Sequence, residues 1–280
     1  MARDLLIGFG AGAFSGAFGV GGGIILVPLL VLLLHFTQKR AQATSLVMVF
    51  LAALAGTITY SVAGQVAWVP VGFILIGGLV GSIAGSSLVR RTSDYRLQIG
   101  FGILLIAVAI SLLWPTDAVA DGNLPELSTV VAVGYIVSGL AMGLLSALFG
   151  IGGGIILIPI IVTLFGFPQQ LAAGTSLAVM APIAIVGAWR QSRNGATDWS
   201  TGLRFGLAAI PGSLLGASAA ISLSGNVVRA LFALVLVGVA LQMLRTGWSS
   251  KKQNSCIQIP TAERSTGRYI AWRLGLRDRE

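Results

Sequence analysis

The chain has 280 residues, 55% of them hydrophobic and only 10% charged, with a mean hydropathy of +0.90 and a net charge of +9. A soluble globular chain is about one-quarter charged, so this composition excludes an ordinary soluble domain and points to a polytopic membrane protein. Apolar runs such as Ile103–Ile110 show no alternation of polarity, which favours helices over a β-barrel.

The basic residues lie mostly in short loops and in the tail after Arg245. There they set membrane orientation and are not a nucleic-acid signal. The single cysteine, Cys256, excludes a disulfide framework, a CxxC redox pair and a cysteine metal site. No cofactor or metal is expected. Nor is an enzyme, because the chain offers no nucleophile–base pair and no Asp or Glu inside a predicted membrane segment.

In chain order the predicted apolar segments are Leu5–Leu34, Ala43–Val62, Trp68–Val89 and Leu97–Trp114, then Thr129–Phe165, Leu171–Trp189, Trp199–Leu223 and Val227–Leu244. Most are near the ~20 residues of one spanning helix. The first segment of each set is longer and contains a glycine run. Leu5–Leu34 reads as part of the mature fold and not as a cleaved signal peptide, because it is repeated later in the chain.

Gly12–Val31 reads GAFSGAFGVGGGIILVPLLV and Gly143–Val162 reads GLLSALFGIGGGIILIPIIV, with twelve of twenty paired positions identical. The offset, 143 − 12 = 131, also relates Thr44-Ser45-Leu46 to Thr175-Ser176-Leu177, Gly64 to Gly195, Trp68 to Trp199 and Gly81-Ser82 to Gly212-Ser213. One unit has been duplicated.

The loop charges predict how the copies are threaded. In the first copy, His35–Gln42 carries Lys39 and Arg40, Ser61–Ala67 carries no charge, and Arg90–Arg96 carries three arginines. In the second, Gly166–Gln170 is uncharged, Arg190–Asp198 carries two arginines, and Ser222–Asn226 carries no Asp, Glu, Lys or Arg. The pattern is opposite, so the expected fold is two inverted-topology repeats. Inversion follows if Leu5–Leu34 and Thr129–Phe165 each turn back at their glycine run, leaving three transmembrane helices per repeat. The expected organisation is residues 1–114 as the first repeat, 115–128 as an acidic external connector, 129–248 as the second repeat, and 249–280 as a basic cytoplasmic tail. The tail reads as frayed, with Tyr269–Leu274 as a candidate interfacial helix.

Gly19, Gly21, Gly22 and Gly23, with Gly150, Gly152, Gly153 and Gly154, are the first candidate site. Glycine at this density should break a helix, exposing backbone N–H groups and the positive end of the next half-helix, which suit an anion. Paired breaks in inverted repeats point to a central transport site. The alternatives are close helix packing, which Gly77, Gly81 and Gly85 and the Gly212–Gly216 pair also suit, and a dinucleotide loop, whose GxGxxG spacing is not met. Thr44, Ser45, Thr175 and Ser176 are the second candidates. Each pair is expected near a helix start, where its hydroxyls hold an oxyanion or bond back to a carbonyl. Ser15 and Ser146 carry a weaker form of the same case. Arg190, Arg193 and Arg204 read as orientation charges, with the alternative that one of them draws an anion to the mouth. His35 reads as an interfacial residue, and Trp68, Trp114, Trp189 and Trp199 as an aromatic belt.

The blocks FSGAFGVGGGIILVPLL, with Ala43-Thr44-Ser45, and LLSALFGIGGGIILIPII, with Gly174-Thr175-Ser176, resemble the sulfite exporter TauE/SafE family of membrane permeases from about Leu5 to Leu244. The resemblance implies transport of sulfur-containing anions such as sulfite or organosulfonates across the cytoplasmic membrane. The first-copy tripeptide opens with alanine where the second has glycine, so the half-sites are not expected to be equivalent. The expected function is a secondary transporter working by alternating access, with a small anionic substrate and the lipid bilayer as partners. A passive channel or a partner-dependent subunit is the alternative. The Gly-x3-Gly faces suit a homodimer or internal packing equally well.

Overall fold

The computed structural model describes residues 2–113, 125–225 and parts of 227–241. Trp114, Cys256 and the whole tail, with its frayed or amphipathic readings, lie outside the described residues. So does most of the acidic connector.

Among the described residues nine helices are bounded: α1 (Ala2–Phe18), α2 (Gly23–Leu33), α3 (Gln38–Val62), α4 (Trp68–Arg91), α5 (Asp94–Leu113), α6 (Thr129–Phe149), α7 (Gly154–Phe165), α8 (Gln169–Ser192) and α9 (Trp199–Ser222). No strand occurs among the described residues. Five of these helices, α3, α4, α6, α8 and α9, are long and apolar enough to cross a membrane. Beyond α9 the described residues of 227–241 are helical, and Phe232 is buried there with its ring stacked on Phe18 at 5.1 Å.

The duplication reaches the element boundaries. Helices α2 and α7 start 154 − 23 = 131 residues apart, α3 and α8 start 169 − 38 = 131 apart, and α4 and α9 start 199 − 68 = 131 apart. The glycine runs explain the first interruption in each copy. Helix α1 stops where Gly19 takes φ 70°, and Gly21 and Gly22 follow at 88° and 61°. Gly150, Gly152 and Gly153 repeat this at 70°, 84° and 82°. Side-chain-bearing residues rarely adopt this left-handed backbone. Gly22 sits against the Ala11 carbonyl of α1, and Ile7 lines a small cavity with Leu26, Leu30 and Leu33 of α2. In the second copy Gly153 sits against Met142, and the Tyr135 and Phe165 rings lie 4.5 Å apart.

Helix α3 starts at Gln38, five residues before the apolar pattern begins at Ala43, and α8 likewise starts at Gln169. The Thr37 hydroxyl caps α3 by accepting from the Arg40 N–H. Hydropathy alone passes over such polar first turns.

The two copies are interleaved. Helix α1 packs on α9, with Gly12 against the Ala209 carbonyl, Gly16 against Ser213, and Gly212 and Gly216 against Phe9 and Ala13. Helix α6 packs on α4 by the equivalent contacts, with Gly143 against Gly78, and Gly81 and Gly85 against Leu140 and Leu144. In each case a Cβ would fall within 3 Å of a carbonyl oxygen, so only glycine lets the backbones approach this closely. These faces are occupied inside the chain. Helices α3 and α8 cross the centre and are buried along most of their length.

The outer surface is apolar. Leu6, Ile58, Ile76, Val80, Val130, Leu164, Leu207 and Leu215 are all exposed. So large an apolar exterior has no place on a water-soluble monomer and suits contact with lipid.

Candidate functional site where the glycine breaks meet

The two glycine runs, 131 residues apart in sequence, touch in space. Gly23 lies against the carbonyl of Gly150, Gly154 against the carbonyl of Gly19, and Gly21 against the carbonyl of Ile151. Between them sit Val49 of α3 and Met180 of α8, another pair at the offset of 131, both fully buried and both contacting Gly21 and Gly152. The N-termini of α2 and α7 therefore converge on one point. Each brings the partial positive charge of a helix start, about half a unit.

Backbone donors collect at the same place. Among the described residues, no backbone carbonyl pairs with the N–H groups of Val20, Gly21 and Gly22, or with those of Ile151, Gly152 and Gly153. All six residues are buried. Buried backbone N–H groups are nearly always paired, so two symmetric runs of three, just ahead of the helix starts of α2 and α7, leave donors free for a ligand. The Ser15 and Ser146 hydroxyls, at the end of the helix ahead of each break, are also buried and unpartnered.

The second set of candidates is arranged differently from the sequence reading. Thr44 and Thr175 lie in the second turn of α3 and α8, and not at the helix start. Their hydroxyls reach the N-termini of helices in the other copy. Thr44 accepts from the N–H of Asp198, the N-cap of α9, at 3.1 Å, and Thr175 accepts from the N–H of Ala67, the N-cap of α4, at 3.0 Å. Ser45 donates to the carbonyl of Gly150 at 2.6 Å, and Ser176 donates to the carbonyl of Gly19 at 2.5 Å. The structure thus brings ten of the twelve sequence-selected residues against the other copy, while Gly22 and Gly153 lie against Ala11 and Met142 of their own. The serines hold the breaks and the threonines hold the helix starts behind them.

Gln42 was not legible as a site residue. Its backbone packs on Gly150, it is fully buried, and neither atom of its side-chain amide has a partner. The sequence places it at the end of the charged loop His35–Gln42, outside the apolar segments. The available signal was the Gln38-x3-Gln42 spacing, which places two amides on one face of a helix.

Asp198 stands at the outer edge of this region. Its carboxylate accepts from the Thr201 N–H at 3.0 Å and pairs with Arg40 of α3 at 2.9 Å. The backbone hydrogen bond first, and the arginine after it, hold its carboxyl below the usual range. His35 takes φ 52° in the turn between α2 and α3. Arg204 is exposed on the first turns of α9. Among the described residues no group of three His, Cys, Asp or Glu side chains is placed to hold a metal ion.

The pattern that describes the family "Sulfite exporter TauE/SafE" matches residues 1–112 and 135–276. The chain belongs to the TauE/SafE family. This TauE/SafE protein is 28% identical over 250 residues to a probable membrane transporter protein of Xylella fastidiosa, covering 88% of this chain and 94% of the relative. It is 26% identical over 273 residues to the probable membrane transporter protein YunE of Bacillus subtilis, covering 87% and 97%. A probable membrane transporter protein of Methanocaldococcus jannaschii is 31% identical over 191 residues, covering 65% of this chain and 68% of the relative. No solved structure matches the chain. With its five candidate spans, the TauE/SafE chain is a multi-pass membrane protein of a transporter family.

Proposed function

We propose that this protein is a secondary transporter that moves a small anion, sulfite or an organosulfonate, across the cytoplasmic membrane by alternating access. In this reading its two repeats are inverted in the membrane. Each is a glycine-broken hairpin with three transmembrane helices, and both termini are cytoplasmic. The observation that carries the reading is the set of six buried, unpaired N–H groups at the meeting point of two helix N-termini. In a low-dielectric interior an anion is the ligand such a set recognises, since it takes several donors at once and interacts favourably with both helix dipoles.

With Val49 and Met180 filling the space between the breaks, the arrangement is closed around its centre. Binding requires the breaks to part, and the Ser45–Gly150 and Ser176–Gly19 bonds lie across that parting line. Because α1 packs on α9 and α6 on α4, each moving body contains helices of both repeats. No membrane carboxylate is needed. The family and the relatives' transporter names support the class, and the family description supports a sulfur oxyanion.

The test is flux of radiolabelled sulfite, sulfoacetate and taurine into proteoliposomes of the purified protein, with and without an imposed pH gradient. Saturable uptake of one anion is expected. Non-saturating flux would replace the transporter with a channel, and no flux of any of the three would sink the substrate class.

A further inference from the structure

A second polar feature lies away from the glycine breaks, at the C-terminal ends of α4 and α8. Ser86, Ser87, Trp189, Arg190, Arg193 and Asn194 line a cavity of about 210 Å³. The Arg193 guanidinium stacks on the Trp189 ring, 4.0 Å from its centroid. Arg190 and Arg193 have no acidic partner among the described residues, whereas Arg40 is paired with Asp198. Ser86 and Ser87 donate their protons to the Ile83 carbonyl, at 2.9 and 3.3 Å, so the charged donors in the cavity are the guanidinium groups, beside the N–H groups of Trp189 and Asn194. Arg190 in the last turn of α8 already offsets the partial negative charge of that helix end. Arg193, one residue past the helix, leaves the cavity net positive.

Orientation alone requires basic residues in a loop but no cavity. Here the charges line a recess with room for a small oxyanion, and planar guanidinium forks match such a group. The recess also adjoins the central region. Gln191, next to Arg190, is buried and donates to the Ala147 carbonyl at 3.3 Å, three residues before Gly150, and its Oε1 has no partner. Gly85, beside Ser86, packs on Ala147 as well.

We propose that the Arg190–Arg193 cavity is an oxyanion-binding vestibule that captures the anion before it reaches the glycine breaks. The role as an entrance rests on the transporter reading above, but binding at the cavity does not. Two sources share the required chemistry, a free sulfur oxyanion and the phosphate of an anionic lipid headgroup.

The test follows Trp189 emission, taken as wild type minus Trp189→Phe, in nanodiscs. Sodium sulfite and sodium sulfate are titrated at constant ionic strength into phosphatidylcholine discs. A parallel set replaces the lipid stepwise with phosphatidylglycerol. The expected result is a saturable change with the free anions, weakened roughly tenfold or more by Arg190→Gln/Arg193→Gln. A change that arises only with phosphatidylglycerol, and that the double variant abolishes, assigns the cavity to a lipid headgroup and overturns the vestibule role. No change in either arm, or one that the double variant leaves intact, overturns the site altogether. Liposome flux is read separately, so loss of the transporter reading leaves this result standing.

Discussion

Ser45 of α3 donates its hydroxyl to the carbonyl of Gly150 at 2.6 Å, and its counterpart Ser176 of α8 donates to the carbonyl of Gly19. Each serine therefore holds the break of the opposite repeat. Removing either hydroxyl leaves a buried carbonyl with one bond fewer, at a cost of about 1 kcal/mol. Ser45→Ala and Ser176→Ala are expected to lower the thermal midpoint of the detergent-solubilised protein by similar amounts. The double variant should open more readily, seen as faster labelling of a cysteine placed at Val49. Equal labelling of wild type and double variant would remove the serines from the gate.

Gly22 and Gly153 combine positive φ with a backbone carbonyl, of Ala11 or Met142, where a side chain would begin. Gly22→Leu and Gly153→Leu are expected to abolish anion flux while the protein still reaches the membrane. Gly72 is the control, since it lies exposed inside α4 with nothing within 4 Å of a Cβ. Gly72→Ala should keep full flux and gain up to about 1 kcal/mol of stability from helix propensity. Normal flux in both leucine variants would sink the assignment of the breaks as the binding site.

Gln42 carries a fully buried amide with no partner. An unsatisfied buried polar group costs about 1–3 kcal/mol, and a ligand that pairs with it recovers that cost. Gln42→Leu should therefore raise the thermal midpoint of the empty protein while weakening anion-induced stabilisation. A variant that is less stable and equally responsive to anion would make Gln42 a packing residue only.

Asp198 caps α9 and pairs with Arg40 across the repeats. Its carboxyl is held below the ordinary value, so its contribution is present above about pH 4. It is lost as pH falls through the lower folded value. Asp198→Ala is expected to lose about 1 kcal/mol at neutral pH through the missing cap, and to show a shallower loss of stability on acidification than wild type. Thermal unfolding from pH 3 to 7 checks both. Parallel acid limbs in the two proteins would exclude Asp198 as a source of the acid sensitivity.

Membrane class, duplication and family could all be read from the chain alone. These are properties of composition and of identity at a constant offset, and they need no knowledge of what touches what. The sequence also marked Gly19, Gly21, Gly22 and their counterparts, because a left-handed backbone selects glycine locally whatever surrounds it. The packing of α1 on α9 and of α6 on α4, and the meeting of the two breaks across Val49 and Met180, became visible in three dimensions. The fold alone brought the Thr44 hydroxyl to the other repeat, and set the Ser45 hydroxyl between the Gln42 carbonyl of its own helix and the Gly150 carbonyl of the other repeat. The partners in the other repeat lie 154 and 105 residues away. Hydropathy and spacing report the faces of single helices, so a hydrogen bond between distant helices leaves no periodic trace in the chain.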